Sequence, residues 1–224
     1  MKTKEIYQHK RVNDILLGPL ERPALRWLAA HLPAWVTPDV CTFVGFGGAL
    51  ITSAGYILTN FHPGFLWLAS LGFIINWFGD SLDGTLARFR HIERPMYGYF
   101  LDHTTDAVCQ VAIAVGLGLT PYVSFNVACL LVISYLMLSI LVYLRTYVTG
   151  EFKISYGGLG PTESRVIAIL LNTAMYFFGI QNIIFQNLTF SVYDGCFVAI
   201  TLLLFGFFVN TSIKEIRRLA AIGE

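Results

Sequence analysis

The sequence predicts an all-α integral membrane protein: six transmembrane helices preceded by an amphipathic helix on the cytoplasmic surface. Composition is the first reason. Of 224 residues, 55% are hydrophobic and only 13% charged, and the mean hydropathy is +0.63, a balance foreign to soluble domains. Second, apolar stretches near 40–59, 64–82, 98–119, 122–144, 163–180 and 191–210 each approach the ~20 residues that cross a bilayer as a helix. The fifth is the shortest. Third, the basic residues alternate. Six Lys and Arg precede the first stretch, three separate the second and third, three surround the four-to-five junction, and three follow the sixth. The other connections hold none, so both termini and the loop between spans two and three are expected to face the cytoplasm.

The organisation follows in chain order: a cytoplasmic segment over 1–38, a six-helix membrane domain over 39–212 and a cytoplasmic tail over 213–224. The N-terminus is charged and polar, and no secretory signal is read there. Before the first span, Leu17, Leu20, Ala24 and Trp27 or Leu28 recur at helical spacing opposite Glu21, Arg22 and Arg26, and Pro23 suits a first turn. Such a helix either lies on the cytoplasmic leaflet or packs against the bundle. Thr37-Pro38-Asp39 opens span one with a helix-start signal. Gly45, Gly47, Gly48 and Gly55 in that span, and Gly116 and Gly118 in span three, suit close helix packing in lipid. Net charge is +1 without a polybasic run, which gives no reason to expect nucleic acid. Cys41, Cys109, Cys129 and Cys196 are scattered over separate spans and read as small buried hydrophobes.

The chemistry concentrates between Asp80 and Asp106. The chain reads Asp80-Ser-Leu-Asp83-Gly84-Thr-Leu-Ala87-Arg88, nine further residues, then Gly98-Tyr-Phe-Leu-Asp102-His103-Thr-Thr-Asp106. A carboxylate near the bilayer centre costs roughly 2.5–3.5 kcal/mol on insertion scales. Helix capping explains one or two of these acids, not four interleaved with Gly84, Ala87, Arg88 and Gly98. On helices, Asp80 and Asp83 share a face, as do Gly98, Asp102 and Asp106. Two such helices facing each other make a cage of hard oxygen ligands suited to two ions of Mg²⁺ or Mn²⁺. Without cations the four acids would repel one another and hold their protons.

This pattern, Asp-x2-Asp-Gly-x2-Ala-Arg, a spacer, then Gly-x3-Asp-x3-Asp, resembles the signature of the CDP-alcohol phosphotransferases (CDP-alcohol phosphatidyltransferases). One departure is a spacer, Phe89 to Tyr97, one residue longer than is usual there. The resemblance implies that Asp80, Asp83, Asp102 and Asp106 hold the two metals. It further implies that Gly84 and Ala87 admit the nucleotide, that Arg88 meets its phosphates, and that Asp39 and Thr42 lie near the cytidine. Thr146-Tyr147-Val-Thr-Gly150, Thr162-Glu163 and the His103 that follows Asp102 resemble the choline/ethanolamine phosphotransferase branch. For that branch Glu163, helped by His103, is the implied proton acceptor and for the wider family Asp106; Glu163 with His103 is the leading expectation and Asp106 the alternative.

The implied function is transfer of a substituted phosphate from a CDP-alcohol donor to a lipid or alcohol acceptor, with release of CMP. The leading expectation is a CDP-aminoalcohol donor and diacylglycerol acceptor. A second is CDP-diacylglycerol acting on a small polyol, whose phosphate Arg94, Arg145, Lys153 or Arg165 would hold. From another class, a cation transporter would use the acidic cluster as its pathway, but it has no need of Gly-x2-Ala-Arg. Membrane lipids are the expected surroundings, and assembly as a homodimer is left open.

Overall fold

The computed structural model describes residues 10–12, 16–153, 160–185 and 188–221. Strand β1 (Lys10–Val12) is followed by helices α1 (Gly18–His31), α2 (Pro38–Leu58), α3 (Phe65–Phe89), α4 (Pro95–Gly118) and α5 (Phe125–Thr149). Strand β2 (Glu151–Lys153), helix α6 (Pro161–Phe178), strands β3 (Asn182–Phe185) and β4 (Leu188–Ser191) and helix α7 (Val192–Ala221) complete the order. The protein is helical, as the composition implies. The strands form two small pairs: β1 runs parallel to β2, and β3–β4 is an antiparallel hairpin pairing Asn182 with Ser191. The apolar patterning gave no hint of either.

Each apolar stretch becomes a helix, but several run further than hydropathy indicates. Helix α3 continues to Phe89 and α7 to Ala221, because the polar residues that end an apolar window do not end helix propensity. Among the described residues, four helices, α2, α3, α5 and α7, are long and apolar enough to cross a membrane. Helices α4 and α6 carry the polar load instead: Asp102, His103, Asp106 and Gln110 on one, Glu163, Arg165 and Asn172 on the other.

Glycine sets the tightest packing. A Cβ added at Gly79 would overlap the backbone of Gly45 and the Cys41 carbonyl, and one at Gly48 would overlap the Asn76 backbone. Helices α2 and α3 therefore touch main chain to main chain, as small residues allow in an apolar solvent. The contact is sealed by Asn76 Nδ2, which donates to Gly45 O at 2.9 Å. Helix α6 joins through polar groups: Tyr56 Oη donates to Asn172 Oδ1 at 2.9 Å, and Asn172 Nδ2 to Ser70 Oγ at 3.1 Å.

Helix α1 is present where its spacing places it, but its buried face is rotated from the one the spacing suggests. Leu25 and Ala29 pack with Cys41, Leu82 and Leu86, while Leu20 and Trp27 are 75% and 61% exposed. One apolar edge thus serves the bundle and the other stays outside it. Arg90 fixes the turn after α1 by donating to Val36 O at 2.5 Å and Leu32 O at 2.9 Å.

Candidate active site

Leu82 and Leu86 are wholly buried beneath α1. Their i, i+4 spacing turns the remaining faces of α3 in other directions. Asp80 of α3 then lines one pocket with Asp102, Asp106 and Cys109 of α4 and Thr42 and Gly45 of α2. That pocket is about 10 Å³, the size of one water or one ion. On α4, single ligand atoms of Asp102, His103 and Asp106 lie within 4.8 Å of one another and could hold a metal. The donor set is two carboxylates with one imidazole, a group able to bind a divalent metal.

Asp83 accepts a hydrogen bond from Thr42 Oγ1, at 2.7 Å from its Oδ2. This bond carries the N-terminal turn of α2 to the motif, and the glycine contact below it keeps the two helices in register. Asp80 Oδ2 is held by Arg165 Nη2 at 2.6 Å, and Arg165 Nε donates to Asn76 Oδ1 at 2.8 Å. Helix α6 therefore supplies a buried cation to an α3 carboxylate that the sequence assigns to metal. Neither Arg165's pairing nor Asn76 was identified from the sequence. The i, i+4 spacing of Asn76 and Asp80 was the available signal.

His103 sits beside Asp102, Nδ1 to Oδ2 at 3.6 Å, with its ring 4.2 Å from that of Tyr99 and 5.0 Å from that of Tyr143. Glu163 is only 5% exposed. Its Oε2 accepts from Gly160 N at 2.9 Å and its Oε1 from Leu17 N at 2.8 Å. Gly160-Pro161-Thr162-Glu163 places Glu163 at N3 of α6, where a carboxylate reaches back to the cap and meets the positive end of the helix dipole. Next to it, Glu21 of α1 accepts from Trp77 Nε1 at 3.0 Å, Ser81 Oγ at 2.9 Å and Thr162 Oγ1 at 3.1 Å. The first turn of α1 thereby ties α3 to the start of α6.

The other expected nucleotide contacts are spread along the same end. Asp39 pairs with Arg94, which also stacks over the Tyr97 ring at 4.1 Å. The Asp39 carboxylate holds the Arg94 proton more tightly than usual. Arg88 is exposed on the last turn of α3 and donates to Thr85 Oγ1 at 3.3 Å. A Cβ on Gly84 would meet the Arg88 guanidinium at 3.2 Å, so Gly84 and Arg88 share one face with half-buried Ala87 adjacent. Lys153's side chain lies outside the described residues.

The profile of the CDP-alcohol phosphatidyltransferase family matches residues 35–209. The chain belongs to that family. Within it, the chain is 27% identical over 191 residues to cholinephosphotransferase 1 of Danio rerio, a match covering 81% of this chain and 49% of that protein. It is 32% identical over 161 residues to the archaetidylinositol phosphate synthase of Methanothermobacter thermautotrophicus, covering 71% of this chain and 77% of the relative. With the phosphatidylinositol phosphate synthase of Cutibacterium acnes it shares 40% identity over 92 residues, or 40% of this chain and 41% of that one. The chain thus spans about half the length of the cholinephosphotransferases it matches.

Proposed function

We propose that this family member transfers a substituted phosphate from a CDP-aminoalcohol to diacylglycerol, releasing CMP. The observation that favours this acceptor is the pairing of three of the four cations that the sequence sets against an acceptor phosphate, Lys153's side chain lying outside the described residues. Arg94 is held by Asp39, Arg145 by Glu215 at 3.9 Å, and Arg165 by Asp80. To use any of these three, an acceptor's phosphate would have to displace a carboxylate. A neutral lipid alcohol needs none.

In this reading the acceptor hydroxyl oxygen bonds to the β-phosphorus, the bond to the bridging oxygen breaks, and CMP leaves with the electron pair. The hydroxyl proton goes to a carboxylate. Asp80, Asp83, Asp102 and Asp106 would hold two Mg²⁺ or Mn²⁺ ions, which when bound neutralise phosphate charge and polarise the phosphoryl group. Thr42 orients Asp83 through its hydrogen bond. Arg88, beside Gly84 and Ala87, meets the nucleotide phosphates, and Asp39 and Thr42 border the cytidine. For the proton acceptor, Glu163 with His103 and Asp106 are the competing assignments. What favours Asp106 is its place in the small pocket with Asp80 and Asp102, whereas both Glu163 oxygens accept backbone N–H groups.

The reading places α2 to α7 across the bilayer as six spans, with α1 on the cytoplasmic leaflet, both termini and the aspartate end facing the cytoplasm, and the domain limits as the sequence drew them. The alternation of basic residues supports it. A homodimer would be accommodated by the outward face of α7.

A second reading is favoured by the inositol phosphate synthases among the relatives, which match at higher identity over shorter or similar lengths. There CDP-diacylglycerol is the donor and a phosphorylated polyol the acceptor. The test is CMP release by purified protein from CDP-choline, CDP-ethanolamine and CDP-diacylglycerol, with Mg²⁺ or Mn²⁺ and with EDTA. Release from a CDP-aminoalcohol that requires added diacylglycerol is expected. Release from CDP-diacylglycerol alone among the donors overturns the acceptor assignment, and release undiminished by EDTA overturns the metal assignment.

A further inference from the structure

The acidic cluster already contains a cation of its own. Arg165 reaches from α6 to α3, with Nη2 donating to Asp80 Oδ2 at 2.6 Å and Nε to Asn76 Oδ1 at 2.8 Å. Asn76 and Asp80 lie one turn apart on α3, and Asn76 is itself tied to α2 by its bond to Gly45 O. Both side chains of the ion pair are largely buried, at 13% and 18% exposure. Asp80 thus serves two neighbours: it accepts from Arg165, and it lines the small pocket with Asp102 and Asp106. Arg165 and Asp106 also border a second cavity of about 160 Å³. There Arg165 Nη1 is buried without a hydrogen-bond partner among the described residues. A guanidinium that only fastened α6 to α3 would have its donors matched, as buried polar groups generally are. Its charge is the feature the site uses.

We infer that Arg165 is a resident counter-cation that sets how tightly the aspartate pocket binds its metal, an inference that rests on the proposed metal assignment and on no particular donor or acceptor. In the empty site its charge offsets part of the repulsion among the aspartates and holds α6 against α3. With a divalent ion in the pocket, the same charge lies across one carboxylate from the ion and opposes it. Like charges that close interact strongly even at an effective dielectric of ~20. Arg165 also orients Asp80 by holding one of its oxygens, and that effect favours binding. The two effects have opposite signs. Charge should win, because Asp80 is placed independently of Arg165: a Cβ on Gly45 would come 3.1 Å from the Asp80 backbone nitrogen, so the main chain there is pinned against α2. The pocket therefore stays assembled when empty and holds its metal less tightly than its acids alone would.

The experiment is a Mn²⁺ titration of the metal-stripped full chain in detergent, without substrate, with free Mn²⁺ read from its electron paramagnetic resonance signal. Arg165→Gln removes the charge and leaves a polar group facing Asn76 and Asp80. It should bind Mn²⁺ roughly tenfold tighter than wild type, the effect of about 1.4 kcal/mol. Arg165→Lys keeps the charge but not the two-point fork, and should stay within about twofold of wild type. Asp102→Asn should weaken binding in both the wild-type and Arg165→Gln backgrounds; binding indifferent to it puts the ion elsewhere and overturns the inference. Thermal unfolding is the second readout. Arg165→Gln should lower the midpoint of the metal-free protein, and saturating Mn²⁺ should close most of the gap. An equal deficit with and without Mn²⁺ makes Arg165 a purely structural tie and overturns the inference. If Arg165→Gln folds in neither condition, Arg165→Lys decides: a loss of affinity of roughly tenfold means that the fork and not the charge governs, which overturns the inference, and unchanged affinity upholds it. Wild-type protein that binds no Mn²⁺ defeats the metal assignment, and this inference with it. Wild-type protein that binds Mn²⁺ as tightly as Arg165→Gln, or more tightly, defeats this inference alone.

Discussion

Helices α2 and α3 are joined through glycine backbones, whereas α7 is held mainly at its first two turns, with an ion pair from Glu215 to Arg145 near its other end. In those first turns Tyr193, Asp194 and Phe197 are buried, and Asp194 accepts from Ser124 N and Oγ, both at 2.8 Å. Beyond that, Leu202 and Leu203 are 65% and 74% exposed. Both regions are apolar helices, yet one is packed to the limit of backbone contact and the other faces outward. The difference lies in what each must hold. Two carboxylates on α3 keep a useful separation from two on α4 only if α3 cannot slide, and close backbone contact prevents sliding. Helix α7 carries no site residue, and lipid can satisfy its side chains as well as protein can.

The contrast breaks most visibly at the acids. Asp106→Asn should lower CMP release by ~10²–10⁴-fold if it takes the proton, while Leu203→Ala leaves the rate unchanged; equal effects would dissolve the distinction. Next, Gly79→Ala should destabilise by ~1–3 kcal/mol through overpacking against Gly45 and Cys41, read as the midpoint of thermal unfolding in detergent. Thr42→Val removes the hydroxyl that supports Asp83 and should cost about 1.5 kcal/mol, roughly tenfold in rate, as expected for a hydrogen bond to a charged group. Glu163→Gln should reduce stability by about 1 kcal/mol through the lost helix-end charge and leave the rate nearly unaltered. A rate loss of ~10² or more would instead return the proton-accepting role to Glu163. Smallest is Gly206→Ala, where a Cβ meets nothing within 4 Å. It should stabilise α7 by about 0.5–1 kcal/mol through helix propensity alone.

Much of this fold was legible because lipid-exposed helices announce themselves by composition. The start of each of α2 to α7 lies within a few residues of where the apolar stretches begin, and Pro38, Pro95 and Pro161 each sit at a helix start. The ends were less legible, since α3 carries its motif through a polar last turn. Within the site, spacing on a single helix was readable: Asp80 with Asp83, and Asp102 with Asp106. Contacts between helices far apart in sequence were not. The reach of Arg165 to Asp80 and of Glu21 to Thr162 depends on the register of α6 against α3 and α1, which no local pattern encodes. Glu163 shows the ambiguity at one residue, because Pro at N1 and Glu at N3 is also a capping signature that the sequence displays openly.

The reach of Glu21 has a consequence in time. Its partner Thr162 lies 141 residues later in the chain, and Leu17 waits 146 residues for Glu163. At ~5–20 residues per second of synthesis, α1 is exposed for roughly 7–30 s before α6 exists to receive it. During that interval Asp80 also lacks Arg165, so the nascent chain carries its acids without their buried counter-charge. Helix α6, made late, is therefore the element that closes this end of the site, and a ribosome stalled before residue 160 holds a chain whose Asp80 has not yet met Arg165.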